Sequence, residues 1–478
     1  MFGISKSSGK RLTGQRETPH ESGGGLDVDL NLAVKGEFMN RSRRALTAVS
    51  VLALCALPAA ADDVKFDWGG QGNLSAYWID QDETPTNELN DYGFAADGKV
   101  WGRVKNITDS GIEYGLRAQL RFQSGEAEFS NDFIRGAPKF VDEVWAFVQT
   151  AFGRVTVGME DGAGDTSGLF SPNISDVDSI DDARHYPLQD PRASSFTPFM
   201  PNGAHIRTDL NGSGDALKVI YFSPRLIGVQ ISASYAPELT RGFNDLFNGN
   251  DEFDEQSNIW EIGVDYLGSL AGFDVGFYGA YVAGSNERET VGNLVGLTAA
   301  RLSDGAPTAF VSQPFTPDDL EEWGTGAQVG FEGWKVGGSY RVTNIAGGAG
   351  LADKAIFPSL SVGCSTIAGC VLPDSKTTIW GAGLTYETGP WRFGANYANL
   401  EEELPRFTDS STGPAITREL TQDAQGWQGS VGYEFDENVQ IVAGYQHYDF
   451  DGPAGVCVTA ACDTLDADLA FVQTSISF

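Results

Sequence analysis

Charged side chains at two-residue spacing are the groups in this chain best placed to act together. Arg103 and Lys105, Arg117 and Arg121, and Arg154 fall on the polar side of short alternating segments whose other side is apolar. The stretch that follows is acidic, with Glu160, Asp161, Asp165, Asp176, Asp178, Asp181 and Asp182. Fixed charges of both signs can order water and ions between them. General acid–base or nucleophilic chemistry asks for more, normally His with Ser, Cys or Asp in a set constellation. Of four His, His20 lies upstream of the export segment described below, leaving His185, His205 and His447. No G-x-S-x-G, H-E-x-x-H or phosphate-cradling motif accompanies them. The residues give no catalytic set, and enzymatic activity is not expected.

Metal and redox chemistry are bounded the same way. Cys364, Cys370, Cys457 and Cys462 form two close pairs in Gly/Ala/Ser/Thr-rich stretches. Local disulfides, Cys364–Cys370 and Cys457–Cys462, are the economical choice among the three pairings that four cysteines allow. A zinc site would want nearby His and tighter cysteine spacing. Acidic clusters recur at Asp82 to Asp91, Asp251 to Glu255, Asp318 to Glu322 and Glu401 to Glu403. Hard cations take carboxylate oxygens, so these could bind Ca2+. No EF-hand spacing is present, and a solvated loop surface is the simpler reading. No cofactor is otherwise expected.

The elements that must carry these charges are strands. Segment 113–123, EYGLRAQLRFQ, sets Tyr114, Leu116, Ala118, Leu120 and Phe122 against Arg117, Gln119, Arg121 and Gln123. Segments 427–435 and 391–400 repeat the pattern. About 16 such segments lie between residues 65 and 478. Short turns such as Thr108–Gly111, Phe152-Gly153, Glu332-Gly333 and Asp436–Asn438 alternate with longer polar connections. That asymmetry is the mark of a barrel crossing an outer membrane. A spanning sheet must close on itself, because lipid offers no partner to a free backbone amide. Aromatics near strand ends (Trp68, Tyr77, Trp78, Trp260, Tyr266, Trp334, Tyr340, Trp391, Tyr445, Tyr448) would form interfacial girdles. The fold class expected is therefore all-β, a transmembrane antiparallel barrel of about 16 strands.

Composition agrees. Gly, 59 of 478 residues, is roughly 12% against a usual ~7%. No run approaches the ~20 apolar residues of a spanning helix. A net charge of −33 repels phosphate backbones and makes nucleic-acid binding improbable.

From Met39 the chain has an export signal: Arg41, Arg43 and Arg44, an apolar run from Ala45 to Leu57, and a small-residue site at Ala59-x-Ala61. Residues 39–61 read as a signal peptide, with Asp62 opening the mature chain. Residues 1–38 show no targeting logic and read as a non-native upstream extension. Residues 1–61 carry 8 basic and 5 acidic residues of totals of 32 and 65, so the remainder has a charge of −36.

Three places resemble Gram-negative porins, particularly the alphaproteobacterial type. They are the terminal strand Phe471–Phe478 ending on an aromatic, the segment Phe152–Ala163, and the hairpin Val219–Pro224 with Gly228–Tyr235. The resemblance spans residues 62–478. It implies a water-filled pore for passive diffusion of small polar solutes, narrowed by an inward loop at about 161–215. The acidic residues above would sit on that loop and face the basic wall of Arg103, Lys105, Arg117, Arg121 and Arg154. Such a transverse field passes polar solutes and hinders apolar ones. The resemblance further implies a homotrimer among outer-membrane lipid and lipopolysaccharide. Periplasmic chaperones and the barrel-assembly machinery, reading Phe478, would be its other partners. The acidic balance favours cations weakly. A channel selective for sugars or anions, and a structural or adhesive barrel, are the alternatives.

Overall fold

The computed structural model describes residues 64–81, 91–124, 141–174, 180, 206–239, 256–286, 291–297, 310–315, 319–344, 376–409, 416–451 and 464–478. Period-two alternation becomes strand at each segment expected from it. The first nine are β1 (Lys65–Gln81), β2 (Tyr92–Ile107), β3 (Glu113–Ser124), β4 (Val141–Thr150), β5 (Gly153–Met159), β6 (Leu217–Phe222), β7 (Val229–Glu238), β8 (Gln256–Leu270) and β9 (Phe273–Asn286). After a separate hairpin, β10 (Val291–Leu297) with β11 (Phe310–Phe315), come β12 (Leu320–Phe331), β13 (Trp334–Thr343), β14 (Lys376–Thr388) and β15 (Trp391–Asp409). The series ends with β16 (Ile416–Asp436), β17 (Val439–Asp451) and β18 (Thr464–Ser477). A single helical turn, α1 (Ala163–Thr166), follows β5.

Every barrel strand pairs antiparallel with its neighbour in sequence, except that β9 skips the hairpin to pair with β12. β1 and β18 close the ring, from Gln71↔Ser477 to Gln81↔Ala467. The result is the closed 16-stranded barrel that the alternation predicts. The hairpin β10–β11 is an addition that the sequence pattern did not disclose.

The barrel is inside out relative to a soluble domain. Leu74, Val104, Leu116, Phe122, Ile231, Ile262, Phe277, Val336, Phe393 and Val472 lie exposed on the outside, while Asn73, Gln119, Ser232, Gln328, Asn396 and Gln446 are buried inside. Such an exterior is stable only against lipid. Among the described residues no helix is long and apolar enough to cross a membrane, so crossing falls to the strands.

One end of the barrel is closed by tight turns. Ile227-Gly228, Ala271-Gly272 and Glu332-Gly333 each take two successive positive φ angles. Two-residue hairpins need that mirror-image turn because it matches the twist of the strands it joins. The opposite end carries the long connections. There β15 and β16, at 19 and 21 residues, exceed the ~9–11 that a bilayer requires, and their paired ends reach past it.

Candidate functional site

The described parts of the connection between β5 and β6, residues 160–174, 180 and 206–216, turn into the barrel and lie along its inner wall. Lys218 ties its two ends together, donating to the carbonyl of Glu160 at 2.5 Å and to that of Gly214. Outward from β5, the Ala163 amide donates to Ser234 Oγ at 3.0 Å and the Gly164 amide to Glu261 Oε2 at 2.8 Å. Wall side chains then take up the carbonyls in turn. Gln328 donates to Phe170 (2.6 Å), Asn396 to Pro172 (2.7 Å), Gln440 to Ile174 (3.1 Å) and Tyr448 to Ile180 (3.5 Å). On the way back, Arg341 donates to the Arg207 carbonyl at 3.4 Å, and Thr208 and Ser339 hydroxyls meet at 2.5 Å. Ser213 N then donates to the other oxygen of Glu261 at 3.2 Å. The described residues of the loop therefore follow the wall from β7 to β17.

Apolar contacts hold the same path. Ile174, Ile180 and Ile206 pack with Ile379, Leu400, Val442, Leu469 and Phe471 of the far wall. Leu169, Leu210 and Ala216 pack with Ile259, Tyr278, Val282 and Leu320. Gly326 and Gly383 let the loop backbone come this close. A Cβ on Gly383 would lie 2.6 Å from the Pro172 carbonyl oxygen, and one on Gly326 would overlap that of Leu169. Beneath the return limb, Arg341 and Glu322 form a buried ion pair at 2.8 Å, with Thr343 also donating to Glu322 at 3.1 Å. Arg341 is not singled out by the sequence, and Glu322, expected in the acidic loop cluster Asp318 to Glu322, is corrected: it stands on the inward side of β12, fully buried against Arg341.

The wall left uncovered by these contacts is β2 to β5, and it carries all five expected basic residues. Arg103, Lys105, Arg117, Arg121 and Arg154 share the inward side with Trp101, Gln119 and Trp145, opposite the exposed Val104, Leu116, Leu120 and Val155. In register, Arg103 stands directly beside Arg117, Lys99 beside Arg121 and Lys65 beside Lys105. Like charges so placed repel. Carboxylates interleaved on the same wall relieve the repulsion. Asp67 takes Arg103 (2.9 Å) and Lys105 (3.3 Å), Asp97 takes Arg121 (3.0 Å), and Glu143 approaches Arg117 (4.0 Å). These wall acids escaped the sequence reading, although Asp67 and Asp97 sit at inward parity on segments it identified.

Of the seven expected loop acids, Glu160 pairs with Arg154 at 3.9 Å. Asp161 lies next to it, close enough to Glu143 and Asp215 to act on their charge, and Asp165 sits in α1. Asp176, Asp178, Asp181 and Asp182 lie outside the described residues, as do Cys364, Cys370, Cys457 and Cys462. Burial raises the Glu160 carboxyl to a pKa of about 7; Arg154 and Lys218 oppose the rise, and Glu143 and Asp161 add to it. Burial also raises the Asp215 carboxyl, reinforced by Asp161 and Asp142 and opposed by Lys218. At the mouth of the loop two carboxyls, Glu160 and Asp215, are thus held above the ordinary carboxylate range beside the basic wall.

Outside, aromatic pairs gather near the strand ends: Trp334 with Tyr386 (4.3 Å between centroids), Tyr235 with Trp260 (4.4 Å), Trp391 with Tyr433 (5.0 Å) and Trp427 with Tyr445 (5.3 Å). Two expected girdle members are corrected. Tyr448 is fully buried inside, its hydroxyl on the Ile180 carbonyl, and Tyr77 packs on the inner apolar cluster. Both follow the inward parity of their strands, which the girdle reading overlooked. Phe478 exchanges backbone hydrogen bonds with Gly70 at 3.0 Å, its ring 5.7 Å from Trp68. His447 meets Asp468 at 2.7 Å. A cleft of about 580 Å³ lined by Trp260, Ala283, Asp319 and Glu321 lies on the outer side of the barrel, where β8, β9 and β12 meet their long connections.

A closed barrel with an apolar exterior, a charged lumenal wall and a loop laid inside it defines a transmembrane channel. The Gram-negative porin family model matches residues 48–453. The chain belongs to that family and is an outer-membrane porin. Among solved structures, an in-vitro folded trimer form of OmpT, an outer membrane protein of Vibrio cholerae, is similar. It has 12% identity and a TM-score of 0.50, with 87% of this chain and 100% of that chain covered. A mutant of Rh. blastica porin covers the same shares at 15% identity and a TM-score of 0.44. No curated protein matches the chain.

Proposed function

We propose that this porin is a general diffusion pore, weakly favouring cations, for small hydrophilic solutes and ions. One observation carries the reading: each expected wall cation has a carboxylate neighbour at 2.9 to 4.0 Å. A filter for phosphate or another anion would leave guanidinium edges unpaired and dense. Here the positive charge is largely compensated in place, and the net charge of −36 carried by residues 62–478 raises cation concentration at the mouth. The limiting aperture is formed by Arg103, Lys105, Arg117, Arg121 and Arg154 on one side and the acidic loop from Glu160 on the other. No group in this arrangement is assigned a catalytic role.

The exported chain starts at Asp62 after removal of residues 39–61, and residues 1–38 are not part of it. Cys364–Cys370 and Cys457–Cys462 form local disulfides. The protein works as a homotrimer, a state that the Vibrio cholerae OmpT structure is described as having. Lipopolysaccharide contacts the outer loops, Ca2+ binds there through clustered carboxylates, and Phe478 is read during assembly. Reversal potentials in planar bilayers under a KCl gradient test the selectivity. A modest cation preference is expected, and clear anion preference overturns it. Liposome swelling with sugars of graded size tests generality. Rates should fall smoothly with size, and a sharp preference among sugars of equal size would favour a selective channel instead.

A further inference from the structure

We infer that Trp145 is the positioning residue of the filter, fixing where Arg117, Arg154 and Glu143 hold their charges and thereby setting ion selectivity. Across five successive strands, rings and guanidinium groups alternate: Trp101 on β2, Arg117 on β3, Trp145 on β4, Arg154 on β5 and Phe222 on β6. Arg117 Cζ lies 5.3 Å from the Trp101 ring and 5.7 Å from that of Trp145. Arg154 Cζ lies 5.8 Å from Trp145 and 4.4 Å from Phe222. Trp145 is the member of the row that touches both arginines.

The indole has a third attachment. Its Nε1 donates to Glu143 Oε2 at 3.2 Å, the same oxygen that Arg117 Nε approaches at 4.0 Å. Phe147 meets it edge-on at 5.8 Å. Opposite Trp145 in register stands Gly158 at φ +147°, where a Cβ would fall 2.7 Å from the Trp145 Cβ. The same Cβ would meet the β4 backbone still sooner, overlapping the Val144 carbonyl oxygen and falling 2.5 Å from Trp145 Cα, so glycine is what lets β5 lie this close to β4 beside the indole.

The physical consequence is orientation. A free arginine in a wet lumen samples many rotamers, and the direct pairing of Arg103 with Arg117 pushes those charges apart. Rings against a guanidinium plane hold it by cation–π attraction and leave its N–H edges for carboxylates and passing ions. Remove the central ring and both arginines lose one side of their support at once. Glu143 loses its indole donor in the same step. The charges then spread over several positions, and released guanidinium groups draw anions into the opening.

Trp145→Leu and Trp145→Phe, measured as whole reconstituted porin in planar bilayers, test this. The Leu variant should lower the cation-to-anion permeability ratio about twofold to fivefold, the scale of one or two lost cation–π contacts, and raise open-channel current noise. The Phe variant keeps a ring but no N–H, and should recover most of the ratio and the quiet open level. A purely packing role would leave the ratio untouched in both variants, and that result overturns the proposal. Equal shifts in Leu and Phe variants overturn it too. If Trp145→Leu fails to assemble, Phe222→Leu removes one ring from Arg154 at the row's end. It should move ratio and noise in the same direction by less, and no movement counts against the proposal. The inference rests on the channel reading. Absence of conductance in the unmodified protein would defeat that reading, whereas a conducting pore indifferent to residue 145 defeats this inference alone.

Discussion

Glu261 holds both limbs of the inner loop, one oxygen on the Gly164 amide at 2.8 Å and the other on the Ser213 amide at 3.2 Å. It is 3% exposed. Glu261→Ala removes both acceptors and strands two buried N–H donors. A hydrogen bond to a charged group contributes about 1.5–3 kcal/mol, so two amount to ~3–6 kcal/mol before relaxation. Water entering the vacated space offsets part of this, which makes ~3 kcal/mol the working figure. At 1.4 kcal/mol per decade, local opening of the loop should become roughly 100-fold more frequent. Glu261→Gln keeps the shape and one acceptor, so its effect should be about tenfold. Amide hydrogen exchange on the detergent-solubilised porin reads this directly. Gly164 and Ser213 should lose protection, while Val264, three residues along β8, should not. If the Ala variant changes exchange at Gly164 and Ser213 by less than about threefold, the loop is held by its apolar contacts and the argument from Glu261 fails.

Gly326→Ala pushes a methyl group into the Leu169 carbonyl. It should cost about 1–3 kcal/mol and alter single-channel conductance, whereas Gly72→Ala, with nothing within 4 Å of the new methyl, should do neither; thermal unfolding in detergent and bilayer recording check both. The raised pKa of Glu160, about 7 against an ordinary 4.5, gives a pH dependence with a definite sign. Cation preference should rise between pH 6 and 8 as Glu160 ionises among Arg154, Lys218, Glu143 and Asp161. The stability linked to its protonation is full below its ordinary value and lost as pH climbs through about 7. Glu160→Gln should flatten the part of the selectivity change that falls in that window, as reversal potentials across the range would show. For the buried pair, Arg341→Met leaves Glu322 uncompensated and should destabilise the barrel by about 3–5 kcal/mol. Arg341→Met with Glu322→Met should recover most of the loss in urea unfolding.

The sequence alone determined what repeats locally. Alternation in segments such as Glu113 to Gln123 assigns strands and their two faces, because a strand's side chains reverse at every residue and lipid and water tolerate opposite chemistries. Turn residues such as Glu332-Gly333 assign the hairpins for a similarly local reason. Parity on those strands is also what placed Arg103, Lys105, Arg117, Arg121 and Arg154 on the inward wall. The hairpin β10–β11 gave no such signal, since its strands VGNLVGL and FVSQPF are short and do not sustain a period-two alternation.

Tertiary structure decided who meets whom. Ile379, Leu400, Val442 and Leu469 break the rule of polar lumenal positions because the inner loop, distant in sequence, covers them. Tyr448 and its Ile180 partner are 268 residues apart, and Gln440 and Ile174 are 266 apart. Parity on β17 already sets Tyr448 inward with Val442 and Gln446, but only the fold shows the carbonyl that its hydroxyl meets. The pairing of Asp67 with Arg103 depends on the register of β1 against β2, and the row centred on Trp145 on four registers at once. Periodicity fixes the face on which a side chain stands, but closing a barrel fixes its neighbours. In this porin the electrostatics of the passage belong to the neighbours.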